Sequence, residues 1–192
     1  MTNLHVSYAA ANAQAAALAA LAAGGTMTIY SGAQPATPET LIGASVALAV
    51  FALGSPAFAA PVSGQLTLNT PAPATIAATG VAAWFRVMAA DGITPLFDGN
   101  VGTVVGGAWA PNSVYAIGNI RSANGNAYVC STGGVSAGTG TGPSTTAGAI
   151  TDGTVVWSYL SAAGADINFS SVSFTSGNTL ALSSYTYQVP GI

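Results

Sequence analysis

The spacing of hydrophobic and polar positions changes near residue 25. From Val6 to Ala23 the chain is a run of good helix formers, chiefly alanine, with no glycine or proline inside it. Gly24-Gly25 ends the run in the manner of a helix C-terminus. The larger apolar residues of this predicted helix are few (Leu18 and Leu21, with Tyr8 upstream), so it would pack closely through methyl groups. Beyond Gly25 the period is two. Thr26–Tyr30 alternates and is β-branched. Ser45–Leu53 carries Val46, Leu48 and Val50 on one side and Ala47, Ala49 and Phe51 on the other, which predicts a strand covered on both faces. Gly64–Asn69 alternates through Leu66 and Leu68, and Gly80–Met88 reads as one strand through Val81, Trp84, Phe85 and Val87. Asp91-Gly92 and Asp98-Gly99 read as turns, with a strand at Val101–Val105 beyond them. Asp166–Phe169, Val172–Phe174 and Leu180–Val189 are further short strands, and Ser176-Gly177-Asn178 is a turn.

Short strands at regular spacing, separated by Gly, Pro, Asn and Asp, predict a mainly β chain. The expected architecture is an antiparallel β-sandwich or jelly-roll-like domain with an N-terminal Ala-rich helix. Residues 106–164 differ in character. They hold two of the three tryptophans, Trp109 and Trp157, and a low-complexity loop from Ser131 to Gly148. Gly106-Gly107 opens the segment and Ala162-Ala163-Gly164 closes it, and its removal would leave a short connection between the flanking strands. The expected organisation is therefore a helix over 1–25, a discontinuous β-sandwich domain over 26–105 and 165–192, and a small inserted β module over 106–164.

Composition narrows the function. Charged residues make up 4% of the 192, against roughly 25% in an ordinary soluble domain. There is no lysine; the ionisable inventory is Arg86, Arg121, Glu39, Asp91, Asp98, Asp152, Asp166, His5 and Cys130, besides tyrosines. Catalysis draws on positioned acids, bases, nucleophiles and metal ligands, so the chain reads as no enzyme and as needing no cofactor. Two arginines and a net charge of -3 do not serve nucleic acid, which calls for a clustered basic surface. A surface this poor in charge promotes association, so a homo-oligomer is expected, with partner subunits covering much of it. Cys130 stands alone and reads as a small buried hydrophobe. Ala9–Ala23 is too short to span a bilayer. Leu41–Ala60 is uncharged but broken by Gly43, Gly54 and Pro56 and has no basic flank, so it reads as two core strands, with no membrane role.

Three aspartates, Asp91, Asp98 and Asp152, each precede glycine. A carboxylate pair or a calcium site would use such residues, but Asp-Gly is also what tight hairpins require, and turn chemistry is the simpler reading. His5 has no neighbouring ligand candidates, so no metal site is expected. Gly133–Gly142 lacks the lysine of a phosphate loop and reads as a flexible surface loop. Arg86 would pair with an acid such as Asp98 or Asp91.

The strongest local pattern lies in the insert: Trp109-Ala110-Pro111-Asn112-Ser113-Val114-Tyr115-Ala116-Ile117-Gly118, then Asn124-Gly125-Asn126-Ala127-Tyr128-Val129-Cys130, then Asp152-Gly153-Thr154-Val155-Val156-Trp157. Its first part resembles the small chitin-binding-like β modules of bacterial and phage proteins. Trp109, Tyr115 and Tyr128 match the aromatic positions, Gly118 a turn and Asn124-Gly125 a hairpin. The candidate contact residues are Trp109, Tyr115, Tyr128 and Trp157. Exposed rings would stack on sugar faces. Buried ones would form the core of the module, which at some fifty-odd residues needs its large side chains for stability.

Outside the insert, three stretches resemble a family of small tailed-bacteriophage virion structural proteins. They are Gly24–Ala36 after the Ala-rich helix, Ala78–Val87 with Asp91-Gly92 and Asp98–Gly102, and Asp166–Phe169 with Gly177–Leu180 and Tyr185–Pro190. The resemblance implies a structural component of the phage particle with no enzymatic activity, made in the host cytoplasm and located on the virion surface. The first expectation is a capsid decoration (cement) protein, bound as a trimer to the major capsid protein and stabilising the head. The alternative is a tail or baseplate protein whose inserted module binds host-surface glycan.

Overall fold

In the computed structural model, which describes residues 6–103, 107–162 and 165–189, the alanine run forms helix α1 (Tyr8–Ala22). The Ser7 hydroxyl caps it, accepting from the Ala10 N–H at 3.2 Å. Ala11, Ala15 and Ala22 are the residues it buries. Gly25 then passes so close to the sheet that an added Cβ would lie 2.0 Å from the Met88 carbonyl oxygen. His5 lies outside the described residues.

The strands follow in chain order. First come β1 (Thr26–Tyr30), β2 (Ala47–Ala52), β3 (Gln65–Thr67), β4 (Ala74–Thr75), β5 (Gly80–Val81), β6 (Trp84–Met88) and β7 (Pro95–Thr103). Next are β8 (Val114–Tyr115), β9 (Ile120–Ala123), β10 (Asn126–Thr132), β11 (Gly134–Val135), β12 (Ala149–Asp152), β13 (Val155–Ala162) and β14 (Ile167–Phe169). The last are β15 (Ser173–Phe174), β16 (Thr179–Leu180) and β17 (Thr186–Gln188). The chain is mainly β, with one helix near the N-terminus and several sheets, a β-sandwich-like fold. It divides into two compact units, Met1–Asn100 with Ser173–Ile192, and Val101–Val172. The second unit brackets the expected insert by a few residues at each end.

In the first unit, β7, β6, β1 and β2 form an antiparallel sheet in that order. Three two-stranded pairs accompany it: β17 with β3, β16 with β4, and β15 with β5. The C-terminal segment thus pairs back along the middle of the chain. Met27, Ile29, Phe51, Phe85, Val87, Phe58, Leu66 and Leu68 are buried in this unit's core. Phe85 meets Tyr185 edge-on at 5.4 Å.

The structure departs from the sequence reading at several places. Asp98-Gly99 is no turn: both residues lie inside β7, because Asp98 stands opposite Arg86 in the ladder and bonds to it. Gly80–Met88 is two strands, β5 pairing with β15 and β6 with β1 and β7. The strand expected over Ser45–Leu53 is β2 at the sheet edge, and its coverage is incomplete and breaks the alternation, with a register irregularity opposite Ile29 and Tyr30. Leu48, Ala49 and Phe51 are buried, whereas Val46 and Val50 are each 49% exposed. Leu41–Ala60 therefore holds one strand and not two; Phe58 makes only an isolated bridge to Leu68. Leu180–Val189 likewise divides, between β16 and β17. Of Val101–Val105, the last two residues lie outside the described part.

In the second unit, β12, β13, β10 and β9 form a four-stranded antiparallel sheet, and β8 pairs with β11. Asn124 and Gly125 join β9 to β10 with φ of 48° and 75°, the left-handed pair that a two-residue hairpin demands. The end of β7 pairs with β14 in parallel, Val101 against Ile167 and Thr103 against Phe169. Among the described residues, no helix is long and apolar enough to cross a membrane.

Candidate functional site

The four aromatic candidates of the insert come together, but mostly inside it. Tyr115, Tyr128 and Trp157 are buried, with Ala123, Cys130 and Val155, in one apolar cluster; Trp109, Ile150 and Tyr159 pack against it partly exposed. Tyr115 meets Trp157 edge-on at 4.9 Å. The Arg121 guanidinium lies 5.3 Å from the Tyr115 ring centre. Burial pushes the Cys130 thiol above its usual range, and its Sγ donates to the Thr132 carbonyl.

Asp152 organises this cluster. It ends β12 at the β12–β13 hairpin and is 8% exposed. Its Oδ2 accepts from the Trp109 indole at 2.6 Å and from the Trp157 indole at 3.0 Å. Its Oδ1 accepts from the Ala137 amide at 2.9 Å. Three donors on one carboxylate are what a buried anion requires when no cation among the described residues pairs with it. The residue therefore does more than the turn chemistry read from Asp-Gly, and its contacts are those of a structural anchor. The two tyrosine hydroxyls are also used internally. Tyr115 OH accepts from the Ala110 amide at 2.8 Å, and Tyr128 OH bonds to the Asn126 side-chain amide at 3.2 Å.

The glycine-rich segment is packed onto this core, contrary to the flexible loop expected for Gly133–Gly142. Gly134 and Val135 form β11. The Ser136 hydroxyl is buried, donating to the Ala110 carbonyl and accepting from the Ser113 amide. Gly142 lies against the Trp109 ring so closely that a Cβ there would sit 2.7 Å from it. The Asn124 amide donates to the carbonyls of Thr141 and Pro143. Of the four candidate contact residues, only Trp109 keeps part of its ring open, and that ring is covered by Gly142 and tied through its N–H to Asp152.

A second constellation lies in the first unit. Arg86 sits on β6 with its side chain 7% exposed, and the facing Asp98 side chain is 3% exposed. The pair is bidentate, Nε to Oδ1 at 2.7 Å and an Nη to Oδ2 at 2.8 Å. The hydrogen bond to Asp98 holds the guanidinium above its usual range, outweighing the opposite effect of burial. The remaining guanidinium N–H groups donate to the carbonyls of Thr40 at 3.1 Å and Thr37 at 3.4 Å. Arg86 also lies 5.4 Å from the ring centre of Trp84, which stacks on Tyr30 at 4.4 Å. The ion pair thus pins the 37–40 loop onto the sheet.

Just after that loop stands the most exposed large apolar side chain among the described residues of this unit. Leu41 is 88% exposed, and Ile93 in the neighbouring 88–95 hairpin is 80% exposed. Between loop and hairpin lies an open cleft of about 320 Å3, with Pro38, Glu39, Ile42 and Met88 among its walls. Sequence reasoning missed this surface. Leu41 and Ile42 open the Leu41–Ala60 stretch that reads as core strands, and Ile93 is a single aliphatic residue in a turn-rich segment.

Among the described residues, no group of three or more His, Cys, Asp or Glu could hold a metal ion. The chain matches no protein-family model, no curated protein and no solved structure.

Proposed function

We propose that the chain is a structural protein of a tailed-phage particle, acting as a capsid decoration protein that cements the head. The observation that carries this reading is the distribution of charge and apolar surface in the first unit. Its arginine is turned inward onto Asp98, while Leu41, Ile93, Val46 and Val50 face outward. Such a surface suits burial against other subunits, because interface cores are depleted in charge. The resemblance of the sequence around the insert to virion structural proteins supports the same reading. Each bound copy would stabilise the shell by mass action. The test is the copy number in purified virions, by quantitative mass spectrometry against the major capsid protein. Near-stoichiometric abundance is expected, together with a raised melting temperature of undecorated capsids on adding the protein. Absence from the particle would overturn the assignment.

The partly open ring of Trp109 favours a second reading, a tail or baseplate protein touching host glycan through the module. A few to a few tens of copies per particle, with sugar binding lost in Trp109→Ala while the fold survives, would support it.

A further inference from the structure

We propose that the cleft between the 38–42 loop and the 88–95 hairpin docks a segment of a different protein, one in which an aliphatic side chain stands beside a lysine or arginine. The proposal deepens the reading of this surface as a contact surface and rests on it.

The aliphatic half of this chemistry follows from the walls. Pro38, Leu41, Ile42, Met88, Ile93 and Pro95 line the cleft. Leu41 and Ile42 also line a second cleft, with Gly32–Pro35 and Gly43–Ser45, so they form a ridge with a hollow on either side. An extended segment can seat one side chain in each hollow. The ridge is set in place before any partner arrives. The Thr37 and Thr40 carbonyls are held by Arg86, the two threonine hydroxyls lie 3.0 Å apart, and the Thr40 amide donates to the Thr37 carbonyl. Preorganisation of this kind removes part of the ordering cost of binding.

The cationic half follows from charge. Glu39 stands exposed on one wall. Asp91 stands in the hairpin that forms the other, its Oδ1 accepting from the Ile93 amide at 2.9 Å. Beneath them Arg86 and Asp98 cancel. With that pair neutral, Glu39 and Asp91 leave two of the three net negative charges of the chain on this side, on an otherwise nearly neutral protein. A second copy is poorly equipped to supply the matching side chain. The chain has no lysine, Arg86 is committed beneath the cleft, and Arg121 donates to the Ile120 carbonyl and lies over Tyr115.

The experiment is selection of a displayed random-peptide library on the full chain, with Leu41→Ser as the counter-selection target. The enriched peptides are expected to carry an aliphatic residue next to Lys or Arg. They should lose binding to Leu41→Ser and to Ile93→Ser, and bind Glu39→Gln about two- to fivefold more weakly. All three side chains are exposed, so the variants should melt with the wild type. No peptide dependent on Leu41 would overturn the proposal, as would enriched peptides that are acidic or indifferent to Glu39→Gln. Sedimentation equilibrium supplies the remaining arm: self-association of the wild type abolished by Leu41→Ser would put a second copy in the cleft and also overturn it. Copy number in the virion decides the particle assignment separately, so the two readings fail independently.

Discussion

At the scale of single residues, the two most deeply placed tryptophans differ in one atom's surroundings. Trp157 and Trp84 are both fully buried. The Trp157 indole N–H bonds to Asp152, whereas that of Trp84 has no acceptor among the described residues. Both would lose similar volume on replacement by phenylalanine. Trp157→Phe alone would also remove a hydrogen bond to a charged group, worth about 1.5–3 kcal/mol. Urea unfolding should show Trp157→Phe less stable than Trp84→Phe by about that amount; equal losses would mean that the Asp152 contact contributes nothing. Asp91 offers a pH test. Its carboxylate accepts from the Thr94 hydroxyl and from the amides of Thr94 and Ile93, which holds it below the usual aspartate range. A depressed folded value means that the stabilisation is present above the unfolded value and is lost as pH falls through the folded one. Hydrogen exchange at Ile93 and Thr94, corrected for intrinsic rate, should therefore lose protection only on acidification past the ordinary aspartate range. In Asp91→Asn that step should vanish.

At the scale of elements, the sequence was most legible where one local rule acted alone. The helix over Tyr8–Ala22, strand β1 and the Asn124-Gly125 hairpin follow from propensity, period and turn chemistry with nothing opposing them. It was least legible where a distant partner overrode the local signal. Asp98-Gly99 carries a turn signature, yet Arg86 across the ladder holds it extended. Val46 and Val50 read as core because the stretch is apolar on both sides, but β2 pairs along one edge only and its register irregularity buries Leu48 and leaves both valines half exposed. The packed loop at 133–143 was invisible because its anchors are single side chains far away in sequence. Asn124 is the clearest case, since it serves both the hairpin and the loop. Asn124→Ala should cost about 1–3 kcal/mol, from the left-handed backbone and the lost bonds to Thr141 and Pro143. Asn124→Gly should spare the turn and still release the loop. Amide exchange should then rise at residues 138–142 and stay low in β9 and β10; protection retained in the loop would contradict this role.

At the scale of the whole molecule, the aromatic candidates show how composition and placement divide the work of inference. The sequence picked out Trp109, Tyr115, Tyr128 and Trp157 as a group, and the structure brings them together. Whether rings in such a group face solvent or one another depends on the polar atoms that meet their edges. Here Asp152, Ala110 and Asn126 meet them from within. The outward apolar surface of the first unit was not legible, because Leu41 and Ile42 open an uncharged stretch that reads as core, and Ile93 becomes their neighbour only across the cleft that Arg86 helps to shape.

The parallel pairing of Val101–Thr103 with Ile167–Phe169 has a consequence for how this chain tolerates change. Antiparallel neighbours can be joined by a tight turn, but parallel ones need a crossover of about a dozen residues or more. The module is that crossover. Cutting out residues 107–162 and joining the ends directly should therefore unpair β14, seen as fast amide exchange at residues 167–169. Replacing them with a Gly/Ser tether of about a dozen residues should restore protection there. Lengthening the module should cost little, because closure entropy grows only with the logarithm of length. Growth is thus the cheap direction for this segment, and simple loss is the expensive one.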